Sequence, residues 1–211
     1  MAKQVQQQEK PHVVVFVEGD TDVVFFRALL DFYRTSSATP IATYEVHNLK
    51  GVSKYNAKFE GKLRHDIIPK SQKAGRQIKT VCCTYDTDVF EYNEQPVVNW
   101  AAIRKIVSKL GLGFCEVRVQ SMIEDWLLDD MSGLCKYLGI RDVPRSLKGN
   151  SAFEKIQKLF RMKGVLYSKG YDIATFLPML DISIIRNKRR DALKDLEDAF
   201  GVNLKKEPSP V

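Results

Sequence analysis

Two short apolar runs each end in a group of acids, and this pairing constrains the fold more than any other feature of the chain. The first run, Val13 to Val17, leads into Glu18-Gly19-Asp20-Thr21-Asp22. The second run, Val81 to Tyr85, leads into Asp86-Thr87-Asp88. Short continuous apolar runs are typical of strands buried in a parallel sheet. Because open α/β sheets bind ligands at the carboxyl ends of their strands, the two groups of acids are predicted to meet at one edge.

Strand-like and helix-like stretches alternate along the first two thirds of the chain. After each apolar run comes a segment whose apolar residues recur every three or four positions, which is the spacing of a helix with one buried face. The four predicted strands are Val13–Val17, Ile41–Val46, Ile78–Tyr85 and Phe114–Val119. Repeated strand–helix units predict an α/β fold in which a mostly parallel, Rossmann-like sheet of four strands is flanked by helices.

Proline and serine set the predicted ends of two helices. One helix is predicted from Ser53 to about Ile68 and is closed by Pro69, which cannot donate a backbone hydrogen bond. A second helix is predicted from Met122 to about Leu138. Ser121 is its predicted N-cap, with Glu124 at the capping-box position.

The length of 211 residues suits one α/β domain with a small helical appendage. Strand signals fade after Gly139, and helical patterns follow at Ser151–Met162, Ile173–Leu180 and Asn187–Phe200. The predicted division is a disordered lead-in at 1–11, an α/β domain at 12–139, a helical C-terminal extension at 140–203 and a disordered tail at 204–211.

Composition argues against several classes of protein. No apolar run approaches the roughly 18 residues of a membrane span, and the polar N-terminal stretch lacks the apolar core of a signal peptide. The four cysteines, Cys82, Cys83, Cys115 and Cys135, show no Cys-x-x-Cys spacing and are predicted to be reduced core thiols of a cytoplasmic protein. The sequence also lacks the G-x-x-x-x-G-K-[ST] pattern of an ATPase.

The net charge of +7 favours a polyanionic partner such as DNA or RNA. Basic residues are concentrated between Lys50 and Lys79, a stretch that contains nine Lys and Arg but only two acids. This segment is either a solvated basic helix face or a surface that follows nucleic-acid phosphates. In the second interpretation the nucleic-acid contacts are made by Lys50, Lys54, Lys58 and Lys62.

The acids after the first strand allow two interpretations. Glu18 is either a metal ligand and general acid–base group or a loop acid that caps the next helix. Asp20 or Thr21 can cap that helix, whose N-terminus favours negative charge. Asp22 serves the same helix terminus or reaches a metal.

Asp86 and Asp88, after the third strand, form either an Asx-turn or a pair of metal ligands. A lone D-x-D is weak evidence for either. Carboxylates held close together need a cation between them, however, and E-G-D-T-D lies one strand–helix unit earlier. The paired motifs therefore predict a single Mg²⁺ site.

The stretch V-V-V-F-V-E-G-D-T-D, followed by C-C-T-Y-D-T-D, resembles the Toprim domain shared by topoisomerases, bacterial primases and several nucleases. In that family an acid after the first strand and a D-x-D after the third strand bind Mg²⁺. The resemblance, which covers about Val13 to Leu138, implies that Glu18, Asp86 and Asp88 bind Mg²⁺ or Mn²⁺. Gly51 stands where many family members have a glycine.

A second resemblance extends further along the chain. The stretches V-Q-S-M-I-E-D-W-L-L, Y-S-K at Tyr167 to Lys169, and D-I at Asp181 look like small bacterial Toprim proteins grouped with phage-defence nucleases of the overcoming-lysogenisation-defect kind. This likeness implies that Glu124 is a further metal ligand and that Lys169 neutralises a substrate phosphate. A plain capping acid and a solvated lysine are the alternatives. Larger relatives carry an ATPase domain, which leaves open an ATPase partner in trans.

These features together predict a metal-dependent nuclease that hydrolyses phosphodiester bonds of DNA or RNA. Glu18 is the predicted general base wherever it does not bind the metal directly, and Asp86, Asp88 and Lys169 complete the predicted catalytic set. Two alternatives remain: a non-catalytic nucleic-acid-binding subunit that works with an ATPase, and a phosphoryl-transfer enzyme acting on nucleotides. The choice between DNA and RNA, and the formation of a homo-oligomer, are left open.

Overall fold

The computed structural model describes residues 11–90 and 97–205. Its centre is a sheet of four parallel strands in the order β2-β1-β3-β4. The strands are β1 His12–Val17, β2 Thr43–Asn48, β3 Ile78–Asp86 and β4 Gly113–Val119. The predicted α/β class with a parallel, Rossmann-like sheet is therefore confirmed.

The strand order places the two acid-terminated strands, β1 and β3, side by side at the centre of the sheet. From β1 the chain moves outward to β2, and from there it crosses back to β3 on the other side. The direction of winding thus reverses between β1 and β3. Parallel sheets bind ligands in the crevice at such a reversal, beyond the carboxyl ends of the strands.

Both faces of the sheet are buried, as a parallel sheet requires. Val13, Val15 and Val17 pack on one side, in a core that also contains Trp126 and Phe200. The intervening residues of β1 point to the other side, which is covered by aromatic and aliphatic side chains of the helices that follow β2 and β3. Alternation along a strand explains why every residue of β1 is buried.

Ten α-helices are present in the described part of the chain. They are α1 Asp20–Ser36, α2 Lys54–Lys62, α3 Ile68–Lys73, α4 Trp100–Lys109, α5 Ile123–Leu127, α6 Met131–Leu138, α7 Ala152–Arg161, α8 Ile173–Phe176, α9 Ile182–Lys188 and α10 Arg190–Phe200. None of the helices in these described ranges is long and apolar enough to cross a lipid bilayer.

The predicted helix end at Pro69 is wrong, because the helical path continues through that residue to Lys73. A π-helical segment, Leu63–Ile67, joins α2 to α3, and the Ile68 N–H donates to the Leu63 carbonyl five residues back. Proline crowds the carbonyl of the preceding turn and cannot pair with it. A widened turn directly before Pro69 relieves that crowding, so the helix is not terminated.

The predicted single helix from Met122 to Leu138 is divided into α5 and α6 by a 3₁₀ turn at Leu128–Asp130. Ser121 is not the N-cap, since it lies before Met122 with a φ of +62°. The break follows from Asp130, whose carboxylate accepts hydrogen bonds from the N–H groups of Gly133 and Asp181. A cap shared with a distant segment is a tertiary effect that helical spacing does not reveal.

The C-terminal helices pack on the sheet. Leu193, Leu196 and Phe200 of α10 are buried in the same core as the β1 valines. The predicted third C-terminal helix, Asn187–Phe200, corresponds to α10, which begins later, at Arg190, because a separate helix, α9, ends at Lys188. Leu204 pairs with Ser37 in an isolated bridge. The predicted disordered ends fall largely on residues 1–10 and 206–211, outside the described residues.

Candidate functional site

A cavity of about 270 Å³ lies at the carboxyl ends of β1 and β3, where the winding of the sheet reverses. Its lining residues are Glu18, Gly19, Asp20, Asp22, Asn48, Lys50, Gly51, Asp86 and Lys169. Cavities of about 470 to 520 Å³ lie elsewhere in the described chain. Of these four cavities in the described chain, however, only the 270 Å³ cavity is lined by residues with buried carboxylate oxygens that lack a hydrogen-bond partner, Asp22 and Asp86.

Glu18 is held at this edge by the turn that follows β2. The Gly51 N–H donates to the Glu18 carbonyl at 2.9 Å, and the Asp86 N–H donates to Glu18 Oε2 at 3.2 Å. Gly51 has a φ of +116°, a conformation that residues with a Cβ rarely adopt. Burial raises the pKa of Glu18, and the hydrogen bond from Asp86 partly offsets that rise.

Asp22 closes the first turn of α1 and also faces the cavity. Gly19, rather than the predicted Asp20 or Thr21, is the N-cap of α1, and its N–H donates to Asp22 Oδ2 at 3.1 Å. Asp22 is only 2% exposed, and its Oδ1 has no hydrogen-bond partner. Burial, followed by the charge of Glu18, raises the pKa of Asp22 to about 7.

Asp86 and Asp88 have different surroundings. Asp86 is the last residue of β3, is 5% exposed and has an unpartnered Oδ1. Its pKa is raised to about 9, first by burial and then by the charges of Asp22 and Glu18. Asp88 begins a 3₁₀ turn, Asp88–Phe90, and does not line the cavity, although its charge also raises the pKa of Glu18. The carboxylate of Asp86 is therefore the buried member of the D-x-D pair.

Glu124 reaches the same cluster from α5 and does not act as a capping-box acid. It is fully buried, and Lys169 Nζ lies 3.2 Å from its Oε2 and 4.0 Å from Asp86 Oδ2. The Tyr167 hydroxyl donates to Glu124 Oε1 at 3.3 Å. Burial opposes the charge of Lys169, but Glu124 and Asp86 outweigh it and raise the pKa of the lysine.

Two further residues support the site and were not assigned a role from the sequence. Tyr167 is buried and fixes Glu124, while Asn48 Nδ2 donates to Asp20 Oδ1 at 2.6 Å at the cavity rim. Asn48 is the last residue of β2, and a polar residue at the carboxyl end of a strand is the signal that could have identified it.

The predicted phosphate-binding lysines do not all converge on the cavity. Lys50 lines it, with a φ of +62° in the turn after β2. Lys62 Nζ donates to the Asn48 carbonyl at 3.2 Å and so stabilises the end of β2. Lys54 and Lys58 lie along α2 and do not line the cavity. Lys50 and Lys169 are therefore the two lysines available at the site.

The chemistry of the acids fits a hard cation. The described residues contain no group of three or more His, Cys, Asp or Glu side chains already arranged to hold a metal ion. Yet Asp22 Oδ1 and Asp86 Oδ1 are buried without hydrogen bonds, beside Glu124, whose Oε2 pairs with Lys169. Mg²⁺ and Mn²⁺ prefer such oxygen ligands. The oxygen donors are thus of the chemical type that these ions bind. Binding of one ion by all of them requires rotation of the side chains towards a common point.

Comparison of this chain with protein-family models, with curated proteins and with solved structures finds no match in any of the three. The class that the fold and cavity show is an α/β protein with a Rossmann-like parallel sheet and an acid-lined crevice at its carboxyl edge.

Proposed function

We propose that this protein is a metal-dependent nuclease of the Toprim type that hydrolyses phosphodiester bonds of DNA or RNA. One observation carries the proposal: two carboxylates at most 5% exposed, those of Asp22 and Asp86, each have an unpartnered oxygen in one cluster, beside the buried Glu124 that Lys169 pairs with. A buried carboxylate without a partner destabilises the fold unless it is protonated or paired with a cation. Maintaining two of them at a ligand-binding edge, next to a third buried carboxylate, is therefore best explained by a metal cation that they bind.

Asp22, Asp86 and Glu124 would hold Mg²⁺ or Mn²⁺, with Glu18 at the margin of the set. When bound, such an ion would supply Lewis-acid stabilisation of the charge that develops on a phosphodiester. The carboxylates that bind it must first lose their protons, so the raised pKa values of Asp22 and Asp86 make binding compete with protonation.

Glu18 is the proposed general base. Its carboxylate is held in place by the Asp86 N–H, and burial raises its pKa towards the range in which a carboxylate accepts a proton from water. Lys169 and Lys50 line the same cavity. In this proposal they would neutralise the phosphate that is cut and a neighbouring phosphate. Contacts of this kind bind the backbone without reading sequence.

The decisive experiment is a cleavage assay on single- and double-stranded DNA and RNA with Mg²⁺, with Mn²⁺ and with EDTA. The wild-type protein is compared with Asp86→Asn and with Asp198→Asn, which removes the same charge from an exposed position of α10. We expect metal-dependent cutting that Asp86→Asn loses and Asp198→Asn retains. Cutting that persists in Asp86→Asn would contradict the assignment of the site.

A second candidate is a non-catalytic nucleic-acid-binding subunit that acts with an ATPase partner. It is favoured by Lys169, whose ammonium group already pairs with Glu124 and lies 4.0 Å from Asp86, so that part of the acid cluster is neutralised without a metal. This candidate predicts binding of nucleic acid that weakens steeply with salt, together with no cutting under any metal condition.

The biological setting proposed for the protein follows from the same motifs. A role in phage defence and an ATPase partner in trans rest on the likeness of its sequence to Toprim nucleases. A cytoplasmic location accords with the four cysteines, all buried as free thiols, since reducing compartments keep thiols in that state.

A further inference from the structure

Exposed apolar side chains are concentrated in one stretch of the chain, residues 161–171, which we term the 161–171 segment. Met162 is 59% exposed, Val165 49%, Leu166 71% and Tyr171 80%. They account for four of the eight large apolar side chains that are exposed in the described part of the chain. Isolated exposed apolar residues are ordinary, but a concentration of them marks a binding surface.

The 161–171 segment is also the segment that supplies Lys169 to the acid cluster. A turn closes after Lys169, because the N–H groups of Tyr171 and Asp172 both donate to the Ser168 carbonyl. Gly170 has a φ of +81°, and a Cβ placed there would lie 3.3 Å from the Cβ of Asp20, which lines the cavity. Tyr171 therefore projects from a turn that rests on the cavity rim.

The charges of the 161–171 segment distinguish between kinds of partner. Arg161, Lys163 and Lys169 alternate with the apolar side chains, and the segment contains no acid. The centres of protein–protein interfaces are depleted of lysine. Surfaces that bind single-stranded nucleic acid instead combine cations, which follow the phosphates, with exposed aromatic rings, on which bases stack.

We propose that Tyr171 stacks on a base of an unpaired nucleic-acid strand whose phosphate lies at Lys169, so that the substrate of the site is single-stranded or locally unpaired DNA or RNA. This inference rests on the proposed nuclease function and specifies its substrate class. In a duplex both faces of each base are covered by neighbouring bases, and Tyr171 gains a contact only where a base is unstacked.

The test measures binding of short fluorescein-labelled strands by anisotropy in EDTA, using single-stranded DNA, single-stranded RNA and a matching duplex. Tyr171→Ala removes the ring, and Tyr171→Phe retains its stacking face. Ile184→Ala shortens an exposed apolar side chain of α9 outside the segment and serves as the control. The substitutions are at exposed positions, so the variants are expected to fold.

We expect Tyr171→Ala to weaken single-strand binding roughly 5- to 150-fold, the range for loss of one stacked base. Tyr171→Phe and Ile184→Ala should bind within about twofold of wild type, and duplex binding by Tyr171→Ala should change by less than about twofold. Lys163→Gln should lower the salt dependence of single-strand binding by about 0.7 in the log–log slope if Lys163 contacts a phosphate.

Three results would overturn the inference in distinguishable ways. If the wild-type protein cuts nucleic acid but Tyr171→Ala binds single strands as tightly as wild type, stacking is refuted and the nuclease proposal stands. If Tyr171→Ala converts a wild-type dimer into a monomer during sedimentation, the segment is an interface between copies of this chain. If the wild-type protein neither binds nor cuts any of the three probes, the proposed function itself fails.

Discussion

Replacing Asp86 with asparagine is the sharpest test of the carboxylate cluster, because it removes the charge and keeps the shape. In the folded protein burial and the charges of Asp22 and Glu18 raise the pKa of Asp86 from 3.8 to about 9. An unfolded chain retains the ordinary value. Folding at neutral pH therefore requires Asp86 to take up a proton, whereas asparagine folds without one.

The sign and magnitude of the effect follow from proton linkage. Because the pKa of Asp86 is raised in the folded state, its contribution to the free energy of unfolding is complete below about pH 4. That contribution is lost progressively as the pH rises towards 9. Each pH unit in this window changes the free energy of unfolding by up to about 1.4 kcal/mol. At pH 7 the free energy of unfolding of Asp86→Asn should therefore exceed that of wild type by at most about 4 kcal/mol. This is an upper bound, because neighbouring groups of the cluster adjust their own protonation and reduce the difference.

The assay is urea unfolding in EDTA at pH 5, 6, 7 and 8, followed by the fluorescence of the tryptophans, of which Trp126 is fully buried. We expect Asp86→Asn to be more stable than wild type by a margin that grows at each step. Asp198→Asn, on the exposed side of α10, should stay within about 0.5 kcal/mol of wild type throughout. A margin for Asp86→Asn that is constant or negative across these pH values would refute the reasoning.

The same two variants test the metal. A ligand that binds only the folded protein stabilises it by about 3 kcal/mol at a concentration of 100 times its dissociation constant. With saturating Mn²⁺ at pH 8, wild type and Asp198→Asn should both gain stability of this order. Asp86→Asn should gain less than about 1 kcal/mol if the lost carboxylate is a ligand. An equal gain in all three proteins would place the ion elsewhere.

Three other predictions concern the same edge of the sheet. Lys169→Met should abolish turnover. Its Mn²⁺ binding, measured by calorimetry, should be as tight as in wild type or tighter, because the substitution removes a cation that competes for Glu124. Weaker Mn²⁺ binding would contradict this. Calorimetric Mn²⁺ affinity should rise between about pH 6 and 9, with protons released on binding, since the raised pKa values of Asp22 and Asp86 mean that the metal displaces protons. Gly51→Ala should lower the free energy of unfolding by about 1 to 3 kcal/mol, because φ is +116° there. Gly61→Ala, in α2 with open space around it, should instead stabilise the protein by about 0.5 to 1 kcal/mol.

Local patterns in the sequence were sufficient to predict the parallel sheet and the edge at which the acids meet. β1 is a short apolar run, and the C-terminal half of β3 is a mostly apolar one. The acids that follow them could be placed at the carboxyl edge without knowledge of any side-chain contact. The helix end at Pro69 was predicted wrongly, since a π turn directly before the proline lets the helix continue. The break between α5 and α6 was missed, since it depends on the cap that Asp130 shares with the distant Asp181. Helical spacing in the sequence indicates what a segment prefers in isolation. It does not show whether a π turn accommodates a proline or whether a distant segment shares a helix cap.

Glu124 shows why the full site could not be derived from spacing alone. An acid three residues after Ser121 has the pattern of a capping box, and only the folded chain places it against Lys169 and Tyr167, more than forty residues later. Lys169 of the 161–171 segment thus lies in the same candidate site as the acids that follow β1 and end β3. Because α10 packs on β4 and is buried in the same core as the β1 valines, removing the C-terminal helices would expose the core as well as withdraw Lys169. Function at this edge must therefore be tested in the whole chain, by single substitutions.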